Sequence, residues 1–155
     1  MMYFFMITAI LLADQISKFF VREYMSVSES INVIGEFFQL TYYQNYGAAF
    51  SSFGGQRMLL IVFPVVAVIC AVVFMVRSRH QSKLEKISLA LIVAGGLGNL
   101  IDRVFFVYVT DMFDFSIFPA IFNVADIAVV FGCGLLVVYI LFFEKLEGKF
   151  LHEKD

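Results

Sequence analysis

Only two histidines occur in this 155-residue chain, His80 and His152, and both fall in charged segments. A zinc site of the H-E-x-x-H type has no residues to build it, so no metal and no other cofactor is expected. Cysteine is equally scarce. Cys70 and Cys133 lie inside apolar runs, where they read as small buried hydrophobes and not as a disulfide or a metal pair. Charge is scarce as well: 15% of residues are charged against 61% hydrophobic, and the mean hydropathy of +0.89 lies far outside the soluble range. The net charge of -2 comes without a basic block, which leaves no electrostatic footprint for nucleic acid. These absences leave a membrane protein with room for one domain, residues 1–155.

Apolar runs set the layout. The first, over about residues 2–21, lacks a basic leader and a small-residue cleavage site, so it reads as a retained transmembrane helix. Asp14 and Lys18 stand four apart in it and share a helical face, either as a simple neutralising pair with Lys18 reaching the interface or as part of a site. Residues 58–76 carry no charge; at 1.5 Å per residue they reach roughly 28 Å, enough for the hydrocarbon core, with a tolerated Pro64. Further spans are expected at about 87–103 and 124–143, the last with Gly132 and Gly134 permitting close helix contact.

Between spans one and two, Phe38-Gln39-Leu40-Thr41-Tyr42 alternates as a strand does, and Gly47, able to take a positive φ, can form a turn after it. Residues 105–115 alternate again, so an outer β element over about 31–55 with 105–115 is expected. Arg77, Arg79, His80, Lys83 and Lys86 form a basic connection that the positive-inside rule assigns to the cytoplasm. Both termini then lie inside and the β element outside. The fold class is all-α, four transmembrane helices with a small extracytoplasmic β element.

The chemistry concentrates at two helix ends. Gly95-Gly96-Leu97-Gly98-Asn99-Leu100-Ile101-Asp102-Arg103 carries a carboxylate and a guanidinium out of an apolar run, and Phe122-Asn123-Val124-Ala125-Asp126 puts a second carboxylate at the start of the next. Topology brings Asp102 and Asp126 to one membrane face. Two neighbouring carboxyls cannot both ionise easily, so one holds a proton while the other acts as base, as in aspartic proteases. The base would activate water against a peptide carbonyl, and the acid would polarise that carbonyl and protonate the leaving amine. A structural reading stays open beside it: Asn123 as an N-cap with Asp126 in the first turn, and Asp102 with Arg103 as interfacial anchors.

Taken together, Asp14-Gln15 with Lys18, Asn45-Tyr46-Gly47-Ala48-Ala49-Phe50, the Gly95–Arg103 stretch and Phe122–Asp126 resemble the lipoprotein signal peptidases, or signal peptidase II, of bacterial membranes. The motifs occur in that family's order over most of the chain. The resemblance implies an aspartyl endopeptidase of the bacterial cytoplasmic membrane that cuts a prolipoprotein before its diacylglyceryl-modified cysteine. It implies Asp102 and Asp126 as the catalytic pair. Asn45, Gly47, Asn99, Arg103 and Asn123 would line the site, Asp14 and Lys18 would form the helix-one pair, and Asp111 would match an acidic position after helix three. It also implies membrane lipid as a partner and sensitivity to cyclic peptides of the globomycin type. Two departures stand out: Ile127 replaces a small hydroxyl residue, and Phe106-Val107-Tyr108 lacks an expected glycine.

Two other functions fit four spans with polar residues. A small proton-coupled transporter would carry its carboxylates near the midplane and show inverted repeats, neither of which is visible here. A purely structural membrane protein explains the spans but not the polar face that begins at Gly95.

Overall fold

The computed structural model describes residues 1–47, 57–77 and 82–143. Four helices, α1 (Met2–Tyr24), α2 (Arg57–Arg77), α3 (Lys83–Phe105) and α4 (Val124–Val138), are each long and apolar enough to cross a membrane, α4 with the π-helical turn Tyr139–Phe143 that follows it. Three strands, β1 (Ser30–Ile34), β2 (Phe38–Asn45) and β3 (Val109–Phe115), form one antiparallel sheet in the order β1-β2-β3. This is the expected architecture. Within the Asn45–Phe50 motif, Ala48, Ala49 and Phe50 lie outside the described residues, as do Arg79, His80 and the carboxy-terminal tail.

Helix α3 is the centre of the bundle. Half of its apolar window is buried, 50% against 17% for α1 and α2, because α1, α2 and α4 all pack on it. Small residues set the spacing: a side chain at Gly95 would collide with the Ala125 carbonyl, and one at Gly132 would come within 2.8 Å of the Ser88 carbonyl. Gly134 plays no such part, since it faces open space. Helix α2 rests on α3 through Val68 and Ala71 against Leu89 and Val93, while its other faces carry exposed apolar side chains. That pattern suits contact with lipid.

Cys70 and Cys133 are exposed and free, contrary to the expectation of burial. An apolar run cannot distinguish a face turned to protein from one turned to hydrocarbon, and both cysteines fall on the second kind. At Gly47 the chain bends, and its N–H donates to Asn45 Oδ1 at 2.9 Å.

Strand β3 links the helices to the site. It is buried from Val109 to Met112, so both faces of the strand are covered. Thr110 and Met112 turn toward α1, where Met112 packs with Val21 and Tyr42 and Thr110 meets Arg22. Val109 and Asp111 turn to the opposite side. A bulge in β2 between Leu40 and Tyr43 brings Tyr43 opposite Asp111 and Asn45 opposite Val109, which sends the Asn45 side chain to that same side.

The turn between α3 and β3 is strained. Val107 has φ +73°, the left-handed region that a β-branched residue avoids, at the position after the α3 cap where glycine is the usual choice. The missing glycine noted in the sequence thus has a physical counterpart. Val107→Gly should raise stability by about 1 kcal/mol, since relief of left-handed strain outweighs the added chain entropy. Thermal unfolding of the purified protein in detergent checks this, and an unchanged or lower midpoint would count against the strain.

Candidate active site

The site is built on a buried ionic lattice contributed by one face of α1. Asp14, Lys18 and Arg22 recur every fourth residue, and Asp14 and Lys18 have no solvent exposure. Lys18 Nζ lies 2.8 Å from Asp14 Oδ2 and 3.3 Å from Asp102 Oδ2, and it donates to Asn99 Oδ1 at 3.0 Å. Lys18 therefore does not reach toward an interface; it points into the bundle. Asp14 Oδ1 accepts from the Ala125 N–H at 2.9 Å, which satisfies one of the open donors at the start of α4.

Asp102 belongs to this lattice. Its carboxylate accepts from the Thr110 N–H at 2.9 Å and from Arg22 Nη1 at 3.4 Å, besides its pairing with Lys18. Arg22 is itself held by the Thr110 hydroxyl at 3.1 Å and lies over the Phe106 ring at 4.2 Å. Asp102 has 0% exposure and does not border the cavity described next. The expectation that Asp102 and Asp126 face one another across a site is not met by this geometry, because the side of α3 bearing Asp102 is turned to α1 and to the back of β3.

A cavity of about 460 Å³ opens between α2, α3 and α4 beneath the sheet. Its polar end holds Asp126 and Asp111 with Asn45, Asn99 and Arg103, and the rest is apolar, from Phe63 and Pro64 on α2 to Val129 on α4. A largely apolar hollow with a few converging polar groups is the usual form of a ligand site. Asn123 joins the two carboxyls: its Nδ2 donates to Asp111 Oδ1 at 2.6 Å, and its backbone N–H donates to Asp126 Oδ2 at 3.2 Å. Asn123 Oδ1 in turn accepts from the Asp126 N–H at 2.9 Å, completing a capping box at the start of α4. The cap and the site are one structure. The chain reaches it through the 116–122 connection, which Phe122 ties back to Phe113 by backbone hydrogen bonds in both directions.

Asparagines hold each carboxyl. Asn45 Nδ2 donates to Asp111 Oδ2 at 3.0 Å, and Asn99 Nδ2 donates to Asp126 Oδ1 at 2.7 Å. The orientation of Asn99 is forced, since Lys18 is only a donor and must meet the amide oxygen, which also accepts from Asn123 Nδ2 at 3.2 Å. Arg103 reaches the Gly47 carbonyl at 3.2 Å while standing in the fields of Asp126, Asp111 and Asp102. Burial beside Asp126 pushes the Asp111 carboxyl up to about 7, against the opposing effect of Asn45, Asn123 and Lys18. No group of three or more metal-ligating side chains occurs among the described residues.

All ten residues singled out in the sequence thus belong to one connected region, but in two layers. Asp111, Asp126, Asn45, Asn99 and Arg103 border the cavity, and Asn123 and Gly47 bind residues that do. Asp14, Lys18 and Asp102 form the buried lattice behind them. Arg22, not singled out from the sequence, completes that lattice, and its spacing from Asp14 and Lys18 was the available signal.

The model of the family described as signal peptidase (SPase) II matches residues 6–142. The chain is similar to a lipoprotein signal peptidase of Halothermothrix orenii, 44% identical over 145 residues, covering 94% of this chain and 99% of that protein. A lipoprotein signal peptidase of Clostridium acetobutylicum is 38% identical, with 90% and 94% covered. Among solved structures, a bacterial membrane enzyme determined by the in meso method superposes with a TM-score of 0.86 at 28% identity, covering 90% of this chain and 87% of that one.

Removing the lattice's central cation leaves Asp14 buried without its counter-ion and Asp102 paired with Arg22 alone, a loss on the order of 3–5 kcal/mol. Lys18→Met should therefore unfold well below wild type, and adding Asp14→Asn should recover at least about 1 kcal/mol of that loss. A double-mutant cycle on thermal or denaturant unfolding in detergent measures the coupling, and simple additivity would show that the pair is not linked as described.

Proposed function

The chain belongs to the signal peptidase II family and is a membrane-embedded peptidase, and from that premise we propose that it is an aspartyl endopeptidase with Asp111 and Asp126 as the catalytic pair. The substrate is a diacylglyceryl-modified prolipoprotein, cut before the lipidated cysteine. The observation that carries this reading is Asn123, hydrogen-bonded to both carboxyls at the polar end of an apolar cavity. Asp102, the partner expected from sequence, is instead a positioning residue whose carboxylate ties α1 to β3.

Charge balance supports a pair that shares one proton. Behind the site, Asp14 and Asp102 are matched by Lys18 and Arg22, two of each sign. At the site, Arg103 faces two carboxyls, so neutrality in this low-dielectric setting calls for one of them to be protonated. Asp111, pushed up to about 7, holds that proton and hydrogen-bonds the scissile carbonyl oxygen. Asp126 takes a proton from water as its oxygen attacks the carbonyl carbon. A tetrahedral diol forms. Asp111 has by then passed its proton to the former carbonyl oxygen; as the diol collapses, one hydroxyl returns its proton to Asp111, Asp126 gives its proton to the leaving nitrogen, the C–N bond breaks, and the pair again holds a single proton.

The apolar remainder of the cavity suits the lipid. A hydrocarbon chain entering from the bilayer between α2 and α4 keeps its solvent while the peptide bond meets the carboxyls. Cyclic peptides of the globomycin type would compete for the same hollow. With the basic connection in the cytoplasm of a bacterium, both termini lie inside and the site opens at the outer face of the cytoplasmic membrane.

Cleavage of a synthetic diacylglyceryl prolipoprotein by the purified protein tests the reading. Asp111→Asn and Asp126→Asn should each lower kcat by at least about 10³ while the protein stays folded, as expected for loss of an acid or a base. Asp102→Asn should act mainly on stability and lower kcat far less. Equal catalytic loss in all three, or undiminished cleavage by Asp111→Asn, would overturn the assignment. Activity should also fall as pH rises through about 7, where Asp111 gives up its proton and both carboxyls become ionised. A rate that keeps rising smoothly to pH 9 would remove Asp111 from the acid role.

A further inference from the structure

Asp126 borders a second hollow. Besides the cavity toward α2, a groove of about 390 Å³ opens on another side of α4, with Phe115 and Phe118 on the sheet side and Ile127 and Phe131 on the helix. Phe118, Phe122, Asp126 and Val130 border both hollows, so only a thin ridge separates them. Asp126 is the one polar residue bordering the groove, whose surface is almost wholly apolar, so the groove meets Asp126 along its apolar atoms and not at the carboxyl oxygens. Ile127, where a small hydroxyl residue was expected, follows Asp126 directly and lines this groove. The two hollows therefore diverge at Asp126 and run down either side of Val130.

We infer that this groove is a second hydrocarbon subsite, holding one acyl chain of the diacylglyceryl group while the other chain lies in the cavity toward α2. The inference rests on the proposed substrate and deepens it. A diacylglyceryl group carries two chains on one glycerol, attached to the residue beside the scissile bond. With that bond at Asp126, both chains must depart from the neighbourhood of Asp126, and two apolar hollows leave from that point. Size decides against the other apolar part of the substrate, the membrane-spanning segment of the signal peptide. A helix about 10 Å across occupies roughly 400 Å³ per 5.4 Å turn, so the whole groove would hold a single turn, whereas an extended acyl chain passes along it in single file.

The groove gives orientation more than affinity. Bilayer tails are as apolar as its lining, so moving a chain from lipid into the groove gains little free energy beyond packing. Seating both chains fixes the glycerol against rotation and so holds the adjacent peptide bond at the carboxyls, an effect on turnover. A substrate with one chain can use the cavity toward α2 alone and is indifferent to the groove.

The test compares a diacylglyceryl lipopeptide with its monoacyl counterpart on the purified full-length protein. Ile127→Phe narrows the groove beside Asp126. Its kcat/KM should fall five- to tenfold on the diacyl substrate and less than twofold on the monoacyl one, whereas Val72→Phe, on an exposed part of α2 that borders neither hollow, should spare both. Equal losses on the two substrates, or none on either, overturn the subsite while leaving the peptidase reading intact. Wild-type protein that cleaves neither substrate overturns both. A second measurement needs no groove variant: a diacyl lipopeptide with a photoreactive group midway along each chain, bound to the intact protein and irradiated, should label the segment Ile127–Phe131 and also α2 near Ala67. Label on α2 alone overturns the inference.

Discussion

One ammonium, that of Lys18, holds the functional half of this molecule together. It pairs with a carboxylate on its own helix and one on α3, and it fixes the Asn99 amide that meets Asp126 on α4. In a bundle that crosses a membrane such a group has no water to fall back on, so each of its partners must be supplied by the fold. The small residues of α3 follow from the same need. Only where Gly95 and Gly98 let α4 and α1 approach can Asp14 reach the Ala125 amide and Lys18 reach Asn99. Close packing and charge compensation are one constraint seen from two sides.

How far the sequence reveals this can be judged from Asp102 and Asp111. The four helices were legible because long uncharged runs admit few other readings, and two of the three strands were legible from alternation. The cluster of polar residues was legible too, since carboxylates at the ends of apolar runs need a reason. Which carboxylate faces which was not. Asp102 follows the glycine-rich stretch and by spacing reads as sharing a face with Asn99; yet residues three apart on a helix differ by about 60° in direction. That difference turns Asp102 to α1 while Asn99 stays between Lys18 and the cavity. Asp111, in a short strand, depends on the period of two and on a bulge in the neighbouring strand, features that a single sequence does not reveal.

Exposure was the other blind spot. Cys70, Cys133 and most of α2 look like core by composition and are surface in fact. In water an apolar run implies burial, whereas in a bilayer the same run is equally content against lipid. The turn at Val107 shows the reverse case, in which a local departure in sequence, a missing glycine, corresponds directly to a local departure in geometry.

Helix α2 is held to the bundle differently from the other three. Helices α1, α3 and α4 are bound by ions and hydrogen bonds whose breakage would strand charge in hydrocarbon, so they form a rigid frame for the carboxyls. Helix α2 contributes no residue to the hydrogen bonds of that frame among those described, and it rests on α3 through aliphatic contacts that lipid can replace at little cost. The α2 side of the cavity, through which the proposed substrate's hydrocarbon would enter, is thus the side whose wall is not tied into the ionic lattice. Ionic and hydrogen-bonded ties where charge must be balanced, and aliphatic packing along α2 where the proposed lipid would enter, both suit the same low-dielectric surroundings.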